Sequence, residues 1–248
     1  MAKSILPSAD EMLTQLTSET VKHSSNLRDS VRDVTLQALK TRELSLDQIK
    51  AVLHSVTEGV SLGAASPKMD TEKALTEAMH GMDDALRKAV QASRLALEQF
   101  HSQEQAFSDT HVKTALHELK RLEDEFFSTV KKASGAGNTQ MKTAWGEVLK
   151  HFKFAGSDAG HDAMDTLEDF SNRMTATLHE TRMAGLKAAH TFNQNFATLA
   201  SGILIGLSEA LDNKTEKMKE AKPKAPAATT TKPKVPAKAK PKAKAKKK

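Results

Sequence analysis

The sequence predicts an all-α protein, an elongated antiparallel bundle of five or six helices followed by a disordered basic tail. Three observations lead there. The stretch Pro67 to Ser134 has no proline after its first residue, has glycine only at Gly81, and is rich in the better helix formers. Its apolar residues Leu75, Met79, Met82, Leu86, Val90, Leu97 and Phe100, then Val112, Leu116, Leu119, Leu122, Phe126 and Val130, recur mostly at spacings of three and four, which places them on one helix stripe. Aromatic content is only 4% and tyrosine is absent, a composition suited to a thin helical assembly of Leu, Met, Val and Ala. One unbroken helix over this stretch would run about 100 Å at about 1.5 Å per residue. A bend is therefore expected near Phe107–Thr110, where Ser108 or Asp109 can cap a new helix.

The other elements follow in order. Ser8 and Glu11 have capping-box spacing and open a first helix. Leu16, Leu27, Val31, Val34 and Ala38 continue its face toward Thr41, while the polar stretch Thr17–Asn26 reads as exposed or weakly helical. Ser45 and Gln48 repeat the capping spacing. The helix they open carries Leu46, Ile49, Val52, Leu53, Val56 and Val60 on one side and is expected to end at Gly63, in the left-handed conformation glycine accepts. Ser66 is expected to cap the next helix, with Pro67 at its first position. Gly135-Ala-Gly137-Asn138 and Gly156-Ser-Asp-Ala-Gly160 are expected breaks. Between them lies a short helix with Met141, Trp145, Val148, Leu149 and Phe152. After them, Ser157 or Asp158 opens a last helix to about residue 212, with Leu167, Phe170, Met174, Leu178, Phe192, Phe196, Leu199, Ile203, Leu207 and Leu211 on its stripe. Residues 188–208 carry no formal charge, but His190, Asn193, Gln194 and Asn195 make the first half too polar for a membrane span. Within that run Thr198, Gly202 and Gly206 form a small-residue face on which another helix is expected to pack, within the chain or across a dimer. The body is read as 1–212 and the tail as 213–248. No internal repeat at solenoid periods is seen.

Charge divides the chain. Residues 221–248 hold eleven lysines, no acid and five of the seven prolines. That leaves 26 basic against 31 acidic residues in 1–220, a net of −5. With no apolar residue larger than Val235, the tail has too little surface to bury and is expected to be disordered. Its lysines, Lys222, Lys224, Lys232, Lys234, Lys238, Lys240, Lys242, Lys244, Lys246, Lys247 and Lys248, are the expected nucleic-acid contacts: mobile point charges that neutralise phosphates without reading bases. Aromatic residues are not interleaved with them, which argues against base stacking.

Two resemblances add to this reading. Arg42–Lys50, Val56–Ala65 and Ala85–Glu98 resemble a proteobacterial domain-of-unknown-function family, which implies an all-helical body over most of 20–210 and no known activity. The Lys-Pro-Ala tail is similar to those of bacterial linker-histone-like proteins and of some phasins, coat proteins of polyhydroxyalkanoate granules. That resemblance implies a helical body at a granule or lipid surface and a tail on DNA.

Catalytic signatures are wanting. Glu77/His80 and Glu98/His101 have the Glu-x-x-His spacing of di-iron bundles. They lie 21 residues apart on one helix, roughly 32 Å at about 1.5 Å per residue, and off the apolar stripe, so they read as solvated polar positions. His80/Asp84 and His161/Asp165 offer two ligands each, too few for a dedicated zinc site. No phosphate loop or nucleophile elbow is present. Cysteine is absent, which fits a reducing compartment, and the N-terminus lacks the apolar run of a signal peptide. The expected protein is a non-enzymatic, cytoplasmic, nucleoid- or granule-associated one that needs no cofactor or metal. Its expected partners are nucleic acid, a granule or lipid surface, and further copies of itself. The rival readings are a granule coat whose tail is secondary, and an oligomeric helical scaffold whose tail aids solubility.

Overall fold

Short polar side chains start the helices. Ser8 and Glu11 form the full reciprocal box: the Ser8 amide donates to Glu11 Oε2 at 2.7 Å and the Glu11 amide to Ser8 Oγ at 3.2 Å. Asn26, Ser45 and Asn138 each accept an amide from the third residue beyond. The computed structural model describes residues 7–67, 69–102, 109–135, 138–177 and 196–208. Those residues contain α1 Ala9–His23, α2 Leu27–Lys40, α3 Leu46–Ala64, α4 Thr71–Ser102, α5 Asp109–Ser134, α6 Thr139–Ala155 and α7 Asp158–Thr177. Residues 196–208 are also helical, and no strand occurs among the described residues. The chain divides between Leu211 and Asp212, and all that follows belongs to the first unit, Met1–Leu211.

The helices outnumber the expected five or six because the N-terminal stretch breaks at Ser24–Asn26. There the Ser24 Oγ takes the Asn26 amide at 3.1 Å and Asn26 caps α2. The long central stretch holds two helices, α4 and α5; residues 103–108, where the bend is expected, lie outside the described residues. The fourth helix starts later than Ser66-Pro67 suggests. Asp70 caps it, accepting the Lys73 amide at 3.1 Å, while Ser66 closes a turn with the Met69 amide.

Apolar periodicity locates the core correctly. Leu75, Met79, Met82, Leu86, Val90 and Leu97 of α4 are buried, as are Leu116, Leu119, Leu122, Phe126 and Val130 of α5 and Met141, Trp145, Val148 and Phe152 of α6. The Trp145 indole, fully buried, donates to Ser61 Oγ of α3 at 2.9 Å. No buried side-chain nitrogen or oxygen among the described residues lacks a partner.

The polar stretch Thr17–Asn26 is exposed at Glu19, Lys22, His23, Ser25 and Asn26, as expected, but not on its whole face. Thr17 and Val21 are fully buried and Ser18 nearly so. They face Gly59 and Gly63 of α3, where the two backbones come close. A Cβ added at Gly59 would lie 2.5 Å from the Thr14 carbonyl oxygen and 2.6 Å from Thr17 Cβ, and one at Gly63 would lie 2.6 Å from Val21 Cβ. Thr17 is tolerated in this seam because its hydroxyl donates back to the Leu13 carbonyl at 2.8 Å. Gly63 therefore does not end α3 in a left-handed conformation. The helix continues to Ala64 with Ala65 as its right-handed cap, and the glycine serves close approach instead. Gly81 does the same for α4, where a Cβ would strike the Arg28 carbonyl oxygen of α2.

Helix direction follows from paired residues. Thr14 with Ser55, Thr17 with Gly59 and Val21 with Gly63 advance together, so α1 and α3 run parallel, as alternation requires of helices two apart. Asp83 with Asp158, Arg87 with Asp162 and Arg94 with Asp169 also advance together, so α4 and α7 are parallel. Strict alternation would oppose them. The antiparallel expectation thus holds for α1 and α3 and fails for α4 and α7, where charge pairing sets the register.

Gly156 has a φ of 78°, a region that disfavours residues with a Cβ, and ends α6 as expected. Gly160 is not in the break. It lies in the first turn of α7, where a Cβ would come within 2.5 Å of the Glu123 carboxyl carbon.

Candidate functional site

The polar centre of the molecule is the start of α7. Ser157, buried, caps the helix by accepting the Gly160 amide at 2.9 Å. Two carboxylates from other helices complete the cap. Asp83 of α4 accepts the Asp158 and Ala159 amides at 2.9 and 3.1 Å, and Glu123 of α5 accepts the Ser157 amide and hydroxyl at 2.9 and 3.0 Å. Negative charge at a helix N-terminus meets the positive end of the backbone dipole. Asp83 is only 4% exposed, and burial raises its pKa above the ordinary carboxyl range, outweighing the two amide bonds that favour the ionised form.

A cleft of about 470 Å³ opens beside this knot, lined by His80, Asp83, His151, Phe152, Asp158 and His161 among others. His80 is half-buried rather than solvated, its ring centroid 4.6 Å from that of Phe152. His161 Nδ1 lies 2.8 Å from the Ser157 carbonyl oxygen, an acceptor only, so that nitrogen carries the proton. Thr76, the hydroxyl in the cleft, donates to the Glu72 carbonyl at 2.9 Å, toward its own helix and away from the histidines. Among the described residues no group of three His, Asp or Glu side chains is placed to hold a metal ion. The cleft is lined both by apolar side chains, Val148 and Phe152 among them, and by polar ones.

Two of the carboxylates singled out for ligand spacing have other partners. Asp84 takes Arg28 in a two-point pair, Nε to Oδ2 at 2.6 Å and Nη2 to Oδ1 at 2.8 Å, and Glu98 takes Arg94 at 3.3 Å. The His101 side chain lies outside the described residues.

Thr198, Gly202 and Gly206 are exposed, and a Cβ placed at either glycine meets no described atom within 4 Å beyond its own helix backbone. Among the described residues no other helix lies against the two glycines of this face. The buried face of 196–208 is Phe196, Ala197, Ala200, Ser201, Leu204 and Ser208. Ser201 fixes it: its Oγ accepts the Leu44 amide at 2.9 Å and lies 3.0 Å from the Arg42 carbonyl oxygen, tying the segment to the α2–α3 connection. Only a contact 157 residues away in sequence reveals that role.

The eleven tail lysines, from Lys222 to Lys248, lie outside the described residues. Sequence reasoning missed a second cationic feature, a groove of about 820 Å³ between α5 and α6, lined by Lys131, Lys142, Lys150 and Lys153. The signal was present: residues 131–155 contain five lysines and a single acid, Glu147. The acidic balance of the whole body concealed it.

No helix among the described residues is long and apolar enough to cross a membrane. The class of protein defined here is an all-α helical body with a lysine-rich C-terminal stretch. A family model covers residues 3–213, nearly all of that body, and the chain belongs to the family of unknown function DUF6781. No curated protein and no solved structure matches the chain.

Proposed function

We propose that the protein is a non-catalytic nucleic-acid-associated protein whose lysine-rich C-terminal stretch binds phosphate backbones without sequence preference. One observation carries the reading: eleven lysines and no acid in 221–248, set against a net charge of −5 in 1–220. Such a stretch gains affinity by releasing counterions from the polyanion and needs no folded geometry to do so. Lysine without arginine suits phosphate contact rather than base reading. The reading places the protein in the cytoplasm, at the nucleoid or at a granule that the nucleoid contacts.

The test is a salt titration of duplex binding by the intact protein and by one lacking 221–248. The intact protein should bind random-sequence duplexes almost equally, with log K falling against log salt at a slope of about −4 to −8, fewer than all eleven lysines engaging at once. The truncated protein should lose most of this affinity. Equal binding by both, or no binding by the intact protein at low salt, would reject the reading.

A second reading, a granule or lipid-surface coat of the phasin kind, draws on the uncharged run 188–208. Imaging a fluorescent fusion in cells with and without granules separates the two: relocation with granules favours the coat, and retention on the nucleoid favours the first.

A further inference from the structure

The body is net acidic, yet its cations are not distributed alike. Each of the six arginines whose side chains are described is ion-paired: Arg28 with Asp84, Arg32 with Asp29, Arg42 with Asp10, Arg87 with Asp162, Arg94 with Asp169 and Arg121 with Glu125. Lys22 and Lys50 also have carboxylate partners. The four lysines of the α5–α6 groove have none among the described residues, and neither do Lys40, Lys73, Lys88, Lys120 and Lys132; the groove four are distinguished by being exposed and gathered along one groove. Asp124 is the one acid in the lining, so the groove has four positive charges against one negative.

The geometry of α6 arranges these charges in a row. Lys142, Lys150 and Lys153 share one face, and Gly146 sits between them with open space where its side chain would be. The row extends about 16 Å along the axis at about 1.5 Å per residue. Lys131 of α5 stands on the opposite wall. A duplex presents one phosphate charge about every 1.7 Å of its axis, so a row of this length meets several phosphates. The missing side chain at Gly146 lets a bulky backbone approach the helix surface. Lysines supply charge without a guanidinium fork, which again suits phosphate contact and not base recognition.

We propose that the α5–α6 groove is a second phosphate-binding surface that holds the same nucleic-acid duplex as the lysine-rich C-terminal stretch. The inference rests on the function proposed above and adds to it a structured site. The body then fixes where the duplex lies, while the C-terminal lysines supply further positive charge. Each lysine–phosphate contact adds about 0.9 to the steepness of log K against log salt.

The experiment uses the full-length chain and a fluorescent random-sequence duplex, with binding followed by anisotropy over a salt series. Four proteins are compared: wild type, the groove variant K142Q/K150Q/K153Q, a control variant K40Q/K73Q/K120Q with the same loss of charge elsewhere, and the C-terminal variant K242Q/K244Q/K246Q/K247Q/K248Q. The groove variant should bind with a slope shallower by about 2 to 3, from three lost contacts at about 0.9 each. The control should match wild type. The substituted groove lysines are exposed, and an unchanged thermal melt would show that the fold is intact. A groove variant with wild-type slope and affinity would overturn the groove while leaving the C-terminal reading intact. A control that loses as much slope as the groove variant would also overturn it, since net charge would then suffice. If the C-terminal variant binds like wild type and the groove variant does not, the groove stands and the C-terminal reading falls. If wild type binds anionic vesicles but no duplex, both fall.

Discussion

Two parallel helix pairs hold the body together by opposite means. Along α1 and α3 the helices meet through missing side chains: Gly59 and Gly63 let Thr17 and Val21 approach to backbone distance. Along α4 and α7 they meet through charge: Asp83 takes two amides of α7, Arg87 pairs with Asp162 at 2.8 Å and Arg94 with Asp169 at 2.7 Å. The first seam is dry and has no slack, since close-packed interiors resist added volume. The second is partly wet, with Arg87 and Arg94 side chains 44% and 40% exposed, so its ion pairs set register more than they add stability. The two seams should therefore differ sharply in what a single substitution does.

The largest effect is expected at the dry seam. Gly59→Leu places atoms where the Thr14 carbonyl and Thr17 already stand, and should destabilise by about 3 kcal/mol. Thermal melting should register this as a fall of about 6–12 °C for a body of this size. An unchanged melt would mean that the α1–α3 contact is looser than its geometry.

At the charged seam, the buried member matters most. Asp83→Asn keeps one acceptor oxygen but puts its amide donor against the other backbone donor, and should cost about 1–2 kcal/mol, read by denaturant unfolding. It should also change the pH dependence. The pKa of Asp83 is raised on folding, so above the ordinary carboxyl range the folded state binds more protons than the unfolded one, and stability falls as pH rises through the raised value. Asp83→Asn should remove that fall. Glu118, raised by burial and then by Asp47, contributes with the same sign, so Asp83→Asn with Glu118→Gln should flatten the curve further. A curve unaltered by either substitution would place both groups in water.

A glycine outside any seam should respond with the opposite sign. Gly202→Leu meets no atom among the described residues near its Cβ and improves helix propensity, so it should stabilise by about 0.8 kcal/mol. A clear loss of stability or a change in assembly size would show that another copy packs on this face. The smallest effect is expected from Arg94→Ala. It removes two exposed pairs, to Glu98 and Asp169, and should cost about 0.5 kcal/mol, falling with added salt.

The helices and their buried stripes were legible because both are local. A 3.6-residue period marks one face whatever lies opposite, and caps such as Ser8 with Glu11 or Asn138 act within one turn. The division of charge was legible too, since it is only composition. Several features depended on residues far apart in the chain, and the tertiary structure alone decided them. Gly63 and Gly202 are both small residues in helical contexts, yet Val21 packs against the first and, among the described residues, nothing meets a Cβ at the second. Thr17 and Ser18 look like a solvent face until α3 covers them. Asp83 and Glu123 look like surface acids until the amides of α7 arrive. The groove lysines look unexceptional until α5 and α6 bring Lys131 beside Lys142, Lys150 and Lys153 with Asp124 as the one acid in the lining. Local periodicity determines which side of a helix is apolar. Which neighbour comes to that side, and which charges it neutralises, is settled by packing the whole body at once.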